Sequence, residues 1–576
     1  MQAQIIDVYP TKAQFISGEE INIIIELEYT SQQPIDGMRY EADLVFGDQV
    51  IATNGAHFEL ATELKKQILV VFPPYEAIFD GLGVDVRLYI GDHCIPFSSA
   101  LDVVSDYRRS MRYGFLSDFY EGDIGDLKDL ESLNKLHLNM VQFYDWMYRH
   151  DELLPPTDEF TDLMGRTIRL DAVREKITAC HQFGMKAVAY GAVYAASRQF
   201  YEQHPDWALY NSAGDVVDFI GIFRIMNIEE RSPWHQHIID QYRRAIVQLD
   251  FDGIHMDTYG FPKTGFSRLD GNRAYIRLEQ HFPKLINNTR TALSSVKDEI
   301  ILIFNNVGNW PVEATAPANQ DAIYIEVWKP YERYHHLREL IRWAKNWGPG
   351  KPVILAAYLS PFREEPLERT HLAETSALLV TAVIVSGGGY HLLHGEKNGV
   401  LTQGYYVDYS QISNSFMREI RNYYDFMIRY ANFFYDDTYQ DVSMTHADGD
   451  NLEYIFEGYN YSMYGEPDKV WITIKENREF RTINFINLIG ITNDTWNEGK
   501  ERPSMIGPLT MKMQVDQEVT TVYYASPDQN MGRPQHLPYL IENGERGKVL
   551  IVEIPEIFIW SLLVVRLTSY VKYTRT

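Results

Sequence analysis

Eight short apolar runs alternate with amphipathic stretches across the middle of the chain, and this alternation constrains the fold more than any other feature. The apolar runs are typical of buried parallel strands, and the stretches between them have the period of helices. Eight strands that alternate with helices predict a closed parallel (β/α)8 TIM barrel. The predicted strands span residues 112–120, 138–146, 185–194, 253–259, 301–307, 322–328, 352–359 and 382–392. The predicted helices span residues 170–183, 234–249, 272–296, 334–347, 366–380 and 411–430.

The segments on either side of the predicted barrel have the pattern of antiparallel sheets. Strand-like runs are separated by turn residues, and no helical period is present. These runs span residues 20–29, 68–72, 84–90, 469–474, 482–488, 549–554 and 557–567. Short strands separated by turns are typical of β-sandwiches. The sequence therefore predicts an N-terminal Ig-like β-sandwich over residues 1–107, the barrel over 108–435 and a C-terminal antiparallel β-sandwich over 436–576.

Composition narrows the class of ligand. The chain carries a net charge of −26, which disfavours nucleic acid and anionic membranes as partners, because both are bound through clustered Lys and Arg. Aromatic residues make up 13% of the chain. The apolar faces of sugar rings stack on such side chains, although aromatic-rich β domains have the same composition. A neutral sugar ligand fits both observations.

The two cysteines, Cys94 and Cys180, fall in different predicted domains. This disfavours a disulfide framework and excludes a metal site built on thiolates, and we predict neither a metal nor a cofactor. The sequence begins without a basic segment followed by an apolar one, so we expect a cytoplasmic protein unless a leader was removed. No apolar run approaches the 18 residues of a membrane helix. We expect a monomer or a small homo-oligomer.

Polar and aromatic residues cluster where the predicted strands end. In a (β/α)8 barrel the carboxyl ends of the strands form the active face, so we expect these side chains at one rim. They are Asp118, Tyr120, Asp145, Trp146, Tyr190, Tyr194, Asp257, Tyr259, Asn305, Asn306, Glu326, Trp328, Tyr358, His391 and His394. The glycine run at 387–389 lacks the helix and lysine of a phosphate-binding loop, which favours close backbone packing as its role.

Strand alternation selects two carboxylates that point into the barrel. Successive side chains on a strand face opposite sides, so Tyr324, Glu326 and Trp328 share the inner face of the sixth strand. By the same rule Asp257 faces inward on the fourth strand. An inward carboxylate is costly to bury unless it is paired, hydrogen-bonded or used in chemistry. Asp252 lies at the opposite end of the fourth strand, where a structural role is favoured.

Two carboxylates that flank one bond are what glycoside hydrolysis requires. A retaining enzyme uses an ionised carboxylate as nucleophile and a protonated carboxyl as acid. Asp257 suits the first role because polar residues flank it, and Glu326 suits the second because its neighbours are apolar or aromatic. A pair of ion-paired or capping acids is the alternative. Asp145, at the end of the second strand, is expected either to contact sugar hydroxyls or the nucleophile, or to stabilise its loop.

Three stretches of the sequence form a familiar combination. They are Asp-Trp-Met-Tyr-Arg-His at 145–150 with Leu-Pro at 154–155, the stretch 252–260, and Glu-Val-Trp at 326–328. Together they resemble glycoside hydrolase family 66, which contains dextranases and cycloisomaltooligosaccharide glucanotransferases. The resemblance covers most of the chain, because the family has the same order of β-sandwich, barrel and β-sandwich. It implies that Asp257 is the nucleophile, that Glu326 is the acid/base residue and that Asp145 is important.

The resemblance implies a retaining endo-α-1,6-glucanase that hydrolyses dextran or isomaltooligosaccharides and can also transglycosylate. Cyclising members carry a binding module after the seventh strand, whereas only the 22 residues of 360–381 separate the seventh and eighth predicted strands here. This favours hydrolysis over the alternative, a cycloisomaltooligosaccharide glucanotransferase. A non-catalytic glucan-binding protein is the alternative of another class. The predicted substrate-binding residues are Asp145, Trp146, Tyr120, His255, Tyr259, Asn305, Asn306, Trp328, Tyr358 and His391.

Overall fold

The computed structural model describes residues 3–29, 35–60, 65–447 and 449–568, and the predicted outer bounds at residues 1 and 576 lie outside this range. The chain is multidomain and rich in β-structure, with a curved sheet of eleven strands at its centre. Its parallel strands are β1 Tyr113–Leu116, β2 Met140–Phe143, β3 Lys186–Ala192, β4 Gly253–Asp257, β5 Ile301–Val307, β6 Ala322–Glu326, β7 Val353–Ala356 and β8 Tyr390–His391. The remaining strands are His394–Gly395, Gly399–Val400 and Ser410–Gln411.

The parallel strands are neighbours in chain order, and their carboxyl ends lie along one edge of the sheet. Ala192 of β3 is opposite Asp257 of β4, and Val307 of β5 is opposite Glu326 of β6. Strand β8 pairs with β7, while His394–Gly395, which follows it directly, pairs with β1. A Cβ atom on Gly395 would lie 2.3 Å from the ring of Phe115, so this last pairing requires glycine.

Helices connect the strands and cover the sheet. Those of eight or more residues are α1 Lys128–Lys135, α2 Leu170–Gln182, α3 Pro233–Leu249, α4 Phe282–Ser294, α5 Tyr334–Trp347, α6 Thr370–Ser386 and α7 Asn414–Arg429. Shorter helices span Arg198–Gln203, Val312–Thr315, Pro361–Glu364, Ala431–Tyr435 and Ser443–His446. Helix α5 buries Leu337, Leu340, Ile341 and Ala344, whose spacing gives it one apolar face. Among the described residues, no helix is both long enough and apolar enough to span a membrane.

Short strands form hairpins in the loops at the edge of the sheet where the parallel strands have their carboxyl ends. They are Glu159–Thr161, Thr167–Arg169, Ala195–Ser197, Asp218–Phe219, Phe223–Ile225, Thr264–Ser267 and Ala274–Arg277. The predicted helix at 272–296 is therefore wrong in its first part, because Ala274–Arg277 pairs with Thr264–Ser267. The helix begins only at Phe282, where Pro283 follows at a position that helices tolerate.

The predicted eighth strand at 382–392 is also wrong over most of its length. Helix α6 continues to Ser386, and only Tyr390–His391 forms the strand. Almost every residue from Leu372 to the end of α6 is buried, so this helix has no polar face. A helix that is apolar all round lacks the 3.6-residue pattern, and its many β-branched residues favour the interpretation as a strand.

Two pairs of sheets flank the central sheet. The N-terminal pair contains Ala3–Pro10, Ile21–Tyr29 and Lys65–Phe72 in one sheet, and Phe15–Ile16, His93–Val104, Phe79–Ile90, Ile35–Phe46 and Gln49–Leu60 in the other. The C-terminal pair contains Gln440–Asp441, Tyr461–Ser462, Val470–Glu476, Phe480–Asn487, Trp560–Leu567, Val519–Ala525 and Gln535–His536 in one sheet, and Tyr454–Glu457, Leu509–Val515, Gly547–Ile554 and Tyr539–Gly544 in the other. Each pair encloses its own buried hydrophobic cluster.

A buried arginine joins the N-terminal sheets to the central sheet. Arg112 directly precedes β1, is 1% exposed, and forms a bidentate pair with Asp102 at 2.8 and 2.9 Å. Its Nη2 also donates to the backbone oxygen of Ala13 at 2.9 Å. Asp102 accepts a further hydrogen bond, at 2.8 Å, from Gln14. Because neither charge reaches water, the pair holds the base of β1 against the N-terminal sheets only while both partners remain.

We predict that Asp102→Asn lowers the free energy of unfolding by about 3–5 kcal/mol, because it leaves the buried charge of Arg112 without its partner. Asp158→Asn is the matched control, since it removes an exposed partner of Arg174 at 2.9 Å and should change stability by less than about 1 kcal/mol. Urea unfolding of both variants measures the difference. Equal losses in the two variants would contradict the anchoring role of Arg112.

Candidate active site

A cavity of about 560 Å³ opens at the carboxyl ends of the parallel strands. Asp145, Asp257 and Glu326 all contribute to its wall, as does Trp328, which is 43% exposed at the rim. Tyr324, Glu326 and Trp328 line the cavity together, as the alternation of side chains on β6 predicts. Two carboxylates at the ends of β4 and β6 and a third from the loop after β2 therefore meet around one space large enough for a sugar ring.

One amide group connects the two carboxylates at the centre of the cavity. Nδ2 of Asn305, on β5, donates to Oδ1 of Asp257 at 2.7 Å and to Oε2 of Glu326 at 3.0 Å. The hydroxyl of Tyr190, on β3, donates to Oδ2 of Asp257 at 2.7 Å. Asp257 thus accepts hydrogen bonds from Asn305 and Tyr190, and Glu326 shares the Asn305 amide. These two side-chain donors come from the neighbouring strands β3 and β5.

Burial raises the pKa of both carboxyl groups, but to different extents. The pKa of Asp257 rises to about 6 through burial, against which the hydrogen bonds from Asn305 and Tyr190 act. The pKa of Glu326 rises to about 7 through burial and then through the negative charge of Asp257, while hydrogen bonds from Asn305, Trp328 and Tyr358 lower it. Asp257 therefore ionises first, and its charge helps to keep the proton on Glu326.

Asp145 is a third buried acid in the cavity wall. Burial raises its pKa to about 7, against the attraction of Arg166, whose Nη2 lies 3.7 Å from Oδ2. Arg166 also donates to the backbone oxygen of Asp145 at 2.7 Å. The backbone φ of Asp145 is +48°, a conformation that Asp adopts at a cost. The arginine thus holds this side chain at the cavity after β2 has ended.

Aromatic side chains line the cavity wall beside Glu326. The rings of Trp328 and Tyr358 lie 5.8 Å apart, and the hydroxyl of Tyr358 lies 3.2 Å from that of Tyr406. Gly404 approaches Glu326 so closely that a Cβ atom there would lie 2.9 Å from Oε1. The loop that contains Gly404 and Tyr406 therefore limits the space beside this carboxyl group.

The cavity contains most of the residues predicted to contact substrate. Asp145, His255, Tyr259, Asn305, Trp328 and Tyr358 all line it, beside Asp257 and Glu326. His255 accepts or donates a hydrogen bond with Tyr113 at 3.1 Å, and its Nε2 lies 3.9 Å from Oδ1 of Asp257. Burial lowers the pKa of His255 to about 3, so this ring is neutral.

Four of the predicted residues lie outside the cavity, which corrects their expected placement. Trp146 is fully buried beneath it, where its indole donates to the backbone oxygen of Tyr190 at 3.2 Å. Asn306 follows Asn305 on β5 and so faces the other side, where its amide donates to the backbone oxygen of Tyr324 at 2.9 Å.

Tyr120 and His391 were expected at the rim because they end predicted strands. Strand β1 ends at Leu116, and Tyr120 belongs to the loop beyond it, where its backbone N–H donates to Asp123 at 2.7 Å. His391 is buried, with its Nε2 3.0 Å from the backbone oxygen of Ala357. Its ring packs within the wall and does not reach the cavity.

Several cavity residues were missed by the sequence analysis. Gln142 and His150 line the wall near β2, Phe219 and Phe223 come from a loop hairpin, and Tyr405 and Tyr406 follow Gly404. Of these, only the Tyr405–Tyr406 pair had a usable signal, because adjacent aromatics follow the last barrel strand. Tyr190 was noted as a strand end, but its hydrogen bond to Asp257 is a cross-strand contact.

Asp252, at the other end of β4, has the structural environment predicted for it. It accepts a hydrogen bond from the backbone N–H of Ala187 at 2.8 Å and lies 2.8 Å from Nε2 of His181 and 3.1 Å from Nζ of Lys297. Within the described parts of the chain, no group of three or more His, Cys, Asp or Glu side chains is arranged to hold a metal ion.

Comparisons with known proteins point to one family. The sequence matches glycosyl hydrolase family 66 over residues 10–564. A cycloisomaltooligosaccharide glucanotransferase of Niallia circulans is 22% identical over 82% of this chain and 63% of its own length. A dextranase of Streptococcus salivarius is 23% identical over 76% of this chain and 60% of its own length. The chain thus spans less than two thirds of the length of these two relatives.

A solved structure supports the same relationship at the level of the fold. The structure of a Paenibacillus sp. cycloisomaltooligosaccharide glucanotransferase complexed with cycloisomaltoheptaose matches 97% of this chain and 99% of its own, with a TM-score of 0.89 at 20% identity. The fold therefore agrees with the sequence match, which extends over nearly the whole chain. The chain belongs to glycosyl hydrolase family 66.

Proposed function

We propose that the protein is a retaining endo-α-1,6-glucanase that hydrolyses dextran or isomaltooligosaccharides. The observation that carries this proposal is the single Asn305 amide that binds one oxygen of Asp257 and one of Glu326. Because Oδ1 of Asp257 and Oε2 of Glu326 both contact this one nitrogen, the two oxygens lie close together. Their separation is below the roughly 6.5 Å at which the carboxyl pairs of inverting glycosidases begin. No water molecule fits between an attacking carboxylate and sugar at that spacing, so direct attack by a carboxylate is favoured.

The proposed reaction has two displacements. In the first, an ionised oxygen of Asp257 bonds to the anomeric carbon while the bond to the leaving oxygen breaks and Glu326 gives that oxygen its proton. In the second, the Glu326 carboxylate takes a proton from water, whose oxygen displaces Asp257 from the same carbon. Two inversions restore the α configuration. The lower pKa of Asp257 and the higher pKa of Glu326 provide the starting protonation states.

The choice of an α-1,6-glucan as substrate comes from the family and its named members. One relative is a dextranase, and a structural relative is named as a complex with cycloisomaltoheptaose. The cavity supports a sugar ligand through its buried carboxylates and its many aromatic residues. Asp145, His255, Tyr259, Asn305, Trp328 and Tyr358 are the residues we propose to contact substrate.

We also propose a closed (β/α)8 barrel over residues 108–435, flanked by β-sandwiches over 1–107 and 436–576. The pairing of β8 with β7, and of the adjacent His394–Gly395 with β1, supports closure. The separate hydrophobic clusters between the flanking pairs of sheets support the sandwiches. Closure matters for function, because it brings the ends of β2 and β6 to opposite sides of one cavity.

A cycloisomaltooligosaccharide glucanotransferase is the second candidate. It is favoured by the Niallia circulans relative and by the TM-score of 0.89 to a protein of that name. The two reactions share the first displacement and differ in whether water or a sugar hydroxyl completes the second. Trp328, exposed beside Glu326, is placed to contact an acceptor sugar, so the cavity itself accommodates both outcomes.

We predict that Asp257→Asn and Glu326→Gln each lower kcat on dextran by about 100- to 10,000-fold, because each removes a group that acts in the transition state. Asp252→Asn is the matched control from the same strand, and it should keep kcat while lowering stability. Reducing-end release measures all three. Near-normal turnover by either of the first two variants would rule out the assignment.

Rescue by azide separates the two roles. With an activated α-glucosyl substrate, Glu326→Ala should yield the α-glucosyl azide, because azide replaces water in the second displacement. Asp257→Ala should yield the β-glucosyl azide, because azide attacks once in place of the carboxylate. The anomeric coupling in the proton NMR spectrum distinguishes the products. The opposite pairing of variant and anomer would exchange the roles, and the same anomer from both would refute them.

The pH dependence of kcat/KM should be a narrow bell. Activity rises as Asp257 loses its proton near pH 6 and falls as Glu326 loses its proton near pH 7. An α-isomaltosyl fluoride needs no proton on its leaving group, so with this substrate Glu326→Gln should retain the acid limb and lose the alkaline limb. An alkaline limb that persists in this variant would assign it to another group.

The product profile decides between the two candidate reactions. Linear isomaltooligosaccharides should give only shorter linear products, with interior cleavage producing a range of lengths from dextran. Mass spectrometry and chromatography over time measure the distribution. Cyclic or elongated products as the main outcome would favour the glucanotransferase, while glucose as the sole product would exclude endo action.

A further inference from the structure

Two neutral side chains in the cavity wall lack any partner. Gln142, on β2, is 1% exposed, and His150, in the loop that follows β2, is 5% exposed. Both line the cavity. Oε1 of Gln142 and Nδ1 of His150 are buried without a hydrogen-bond partner, and among the described residues no hydrogen bond or ion pair joins either side chain to another residue.

A buried polar side chain without a partner is unusual enough to need a physical cause. More than nine in ten buried polar groups in folded proteins are hydrogen-bonded, since an unmade bond costs about 1–3 kcal/mol. Other buried polar atoms without partners, such as the hydroxyls of Thr289 and Tyr334, lie outside the cavity wall, so it is the position of Gln142 and His150 in that wall that points to a ligand. An amide and a neutral imidazole both donate and accept, which matches hydroxyl groups.

The charge state of His150 restricts the ligand further. Burial, together with the nearby charge of Arg166, lowers the pKa of His150 to about 3, so the ring is neutral throughout the working range of the enzyme. A neutral ring does not attract a carboxylate or phosphate as an ion pair. The ligand class is therefore uncharged and rich in hydroxyl groups.

The position of His150 indicates which sugar unit it contacts. Its ring centroid lies 6.0 Å from that of Tyr190, whose hydroxyl donates to Asp257 at 2.7 Å. Gln142 is in register with Val188 on the same strand as Tyr190. Trp328 and Tyr358, in contrast, lie around Glu326. The two side chains thus belong to the part of the wall formed around β2 and β3, as does Tyr190, the hydrogen-bond donor to Asp257.

We propose that Gln142 and His150 bind hydroxyl groups of the sugar unit that becomes attached to Asp257 and select its hydroxyl configuration. The inference rests on the proposed function, since that function identifies Asp257 as the point of attachment. Both residues act on binding and take no part in bond making. Their contribution is uniform between bound substrate and transition state, so it affects KM more than kcat.

His394 provides a matched control for His150. Its imidazole is also fully buried and forms no side-chain hydrogen bond, and burial together with the nearby His391 lowers its pKa to about 3. Its ring packs 5.6 Å from Tyr424 of helix α7, away from the cavity. Replacing either histidine with Phe removes one buried imidazole that forms no side-chain hydrogen bond, so both variants should keep or slightly gain stability.

The test compares His150→Phe, Gln142→Met and His394→Phe by steady-state kinetics with isomaltotriose and by thermal unfolding. The first two should lower kcat/KM about tenfold each, mainly through KM, whereas the third should match the parent. His150→Gln, which restores a neutral donor and acceptor, should recover part of the loss. Normal KM in both wall variants, or an equal loss in His394→Phe, would overturn the inference.

A second measurement keeps this inference separate from the proposed reaction. Calorimetric titration with 1-deoxynojirimycin, a glucose-shaped inhibitor, requires neither turnover nor a particular linkage. The parent should prefer it to the galactose-shaped isomer, and both wall variants should lose about tenfold in affinity and much of that preference. Unchanged affinity and preference would refute hydroxyl selection even if dextran is cleaved. Inactivity on dextran with these shifts present would instead refute the glucanase.

Discussion

The Asn305 amide is the contact on which the geometry of the site depends. A single –NH2 group has two hydrogens, and here each is directed to a different carboxylate. The amide therefore sets the distance between Asp257 and Glu326 and prevents direct contact between their oxygens. Strand β5 lies between β4 and β6, so the backbone pairing of three adjacent strands determines where this amide stands. The spacing of the Asp257 and Glu326 carboxylates is therefore determined by the pairing of the strands in the sheet.

The same arrangement separates the two acids electrostatically. Both are buried, and burial alone would raise both pKa values. Hydrogen bonds lower the pKa of both groups, and the negative charge of Asp257 then raises the pKa of Glu326 further. Because each folded-state pKa lies above the ordinary value, the stability linked to these protons is complete below about pH 4. It is lost as the pH rises through about 6 and 7. The active protonation state is thus reached at some expense of stability.

The parts of the fold that depend on local sequence patterns could be predicted from the sequence. Strands β1 to β7 fall within the predicted ranges because each is a short apolar run between turns. Helix α6 was misassigned because it is buried on nearly every side and has no polar face. Alternation along β6 placed Tyr324, Glu326 and Trp328 correctly on one face, since parity is a local property.

The site was less predictable, because its contacts join residues far apart in the chain. The side-chain donors to Asp257 are Tyr190, 67 residues before it, and Asn305, 48 residues after it. Nothing in the neighbourhood of Asp257 specifies either one. The expected donors were its chain neighbours, yet His255 stays 3.9 Å away. Trp146 and Asn306 were expected in the cavity for a similar reason. The end of a predicted strand indicates which residues lie near the rim, but it does not show which of them is the last to face inward.

The loop after β8 shows how far the position of Glu326 depends on distant residues. Gly404 lies against Glu326 and follows the short strand Gly399–Val400. Before that strand comes Glu396, whose Oε1 accepts from the backbone N–H groups of Ser117 and Asp118 at 2.8 and 2.9 Å. Burial raises the pKa of Glu396 to about 8, although the nearby Lys176 opposes this. The loops after β1 and β8 are therefore tied together by a buried acid outside the cavity. The wall beside the proposed proton donor is consequently fixed at the junction of these two loops, so the geometry of Glu326 depends on β1 and β8 as well as on its own strand.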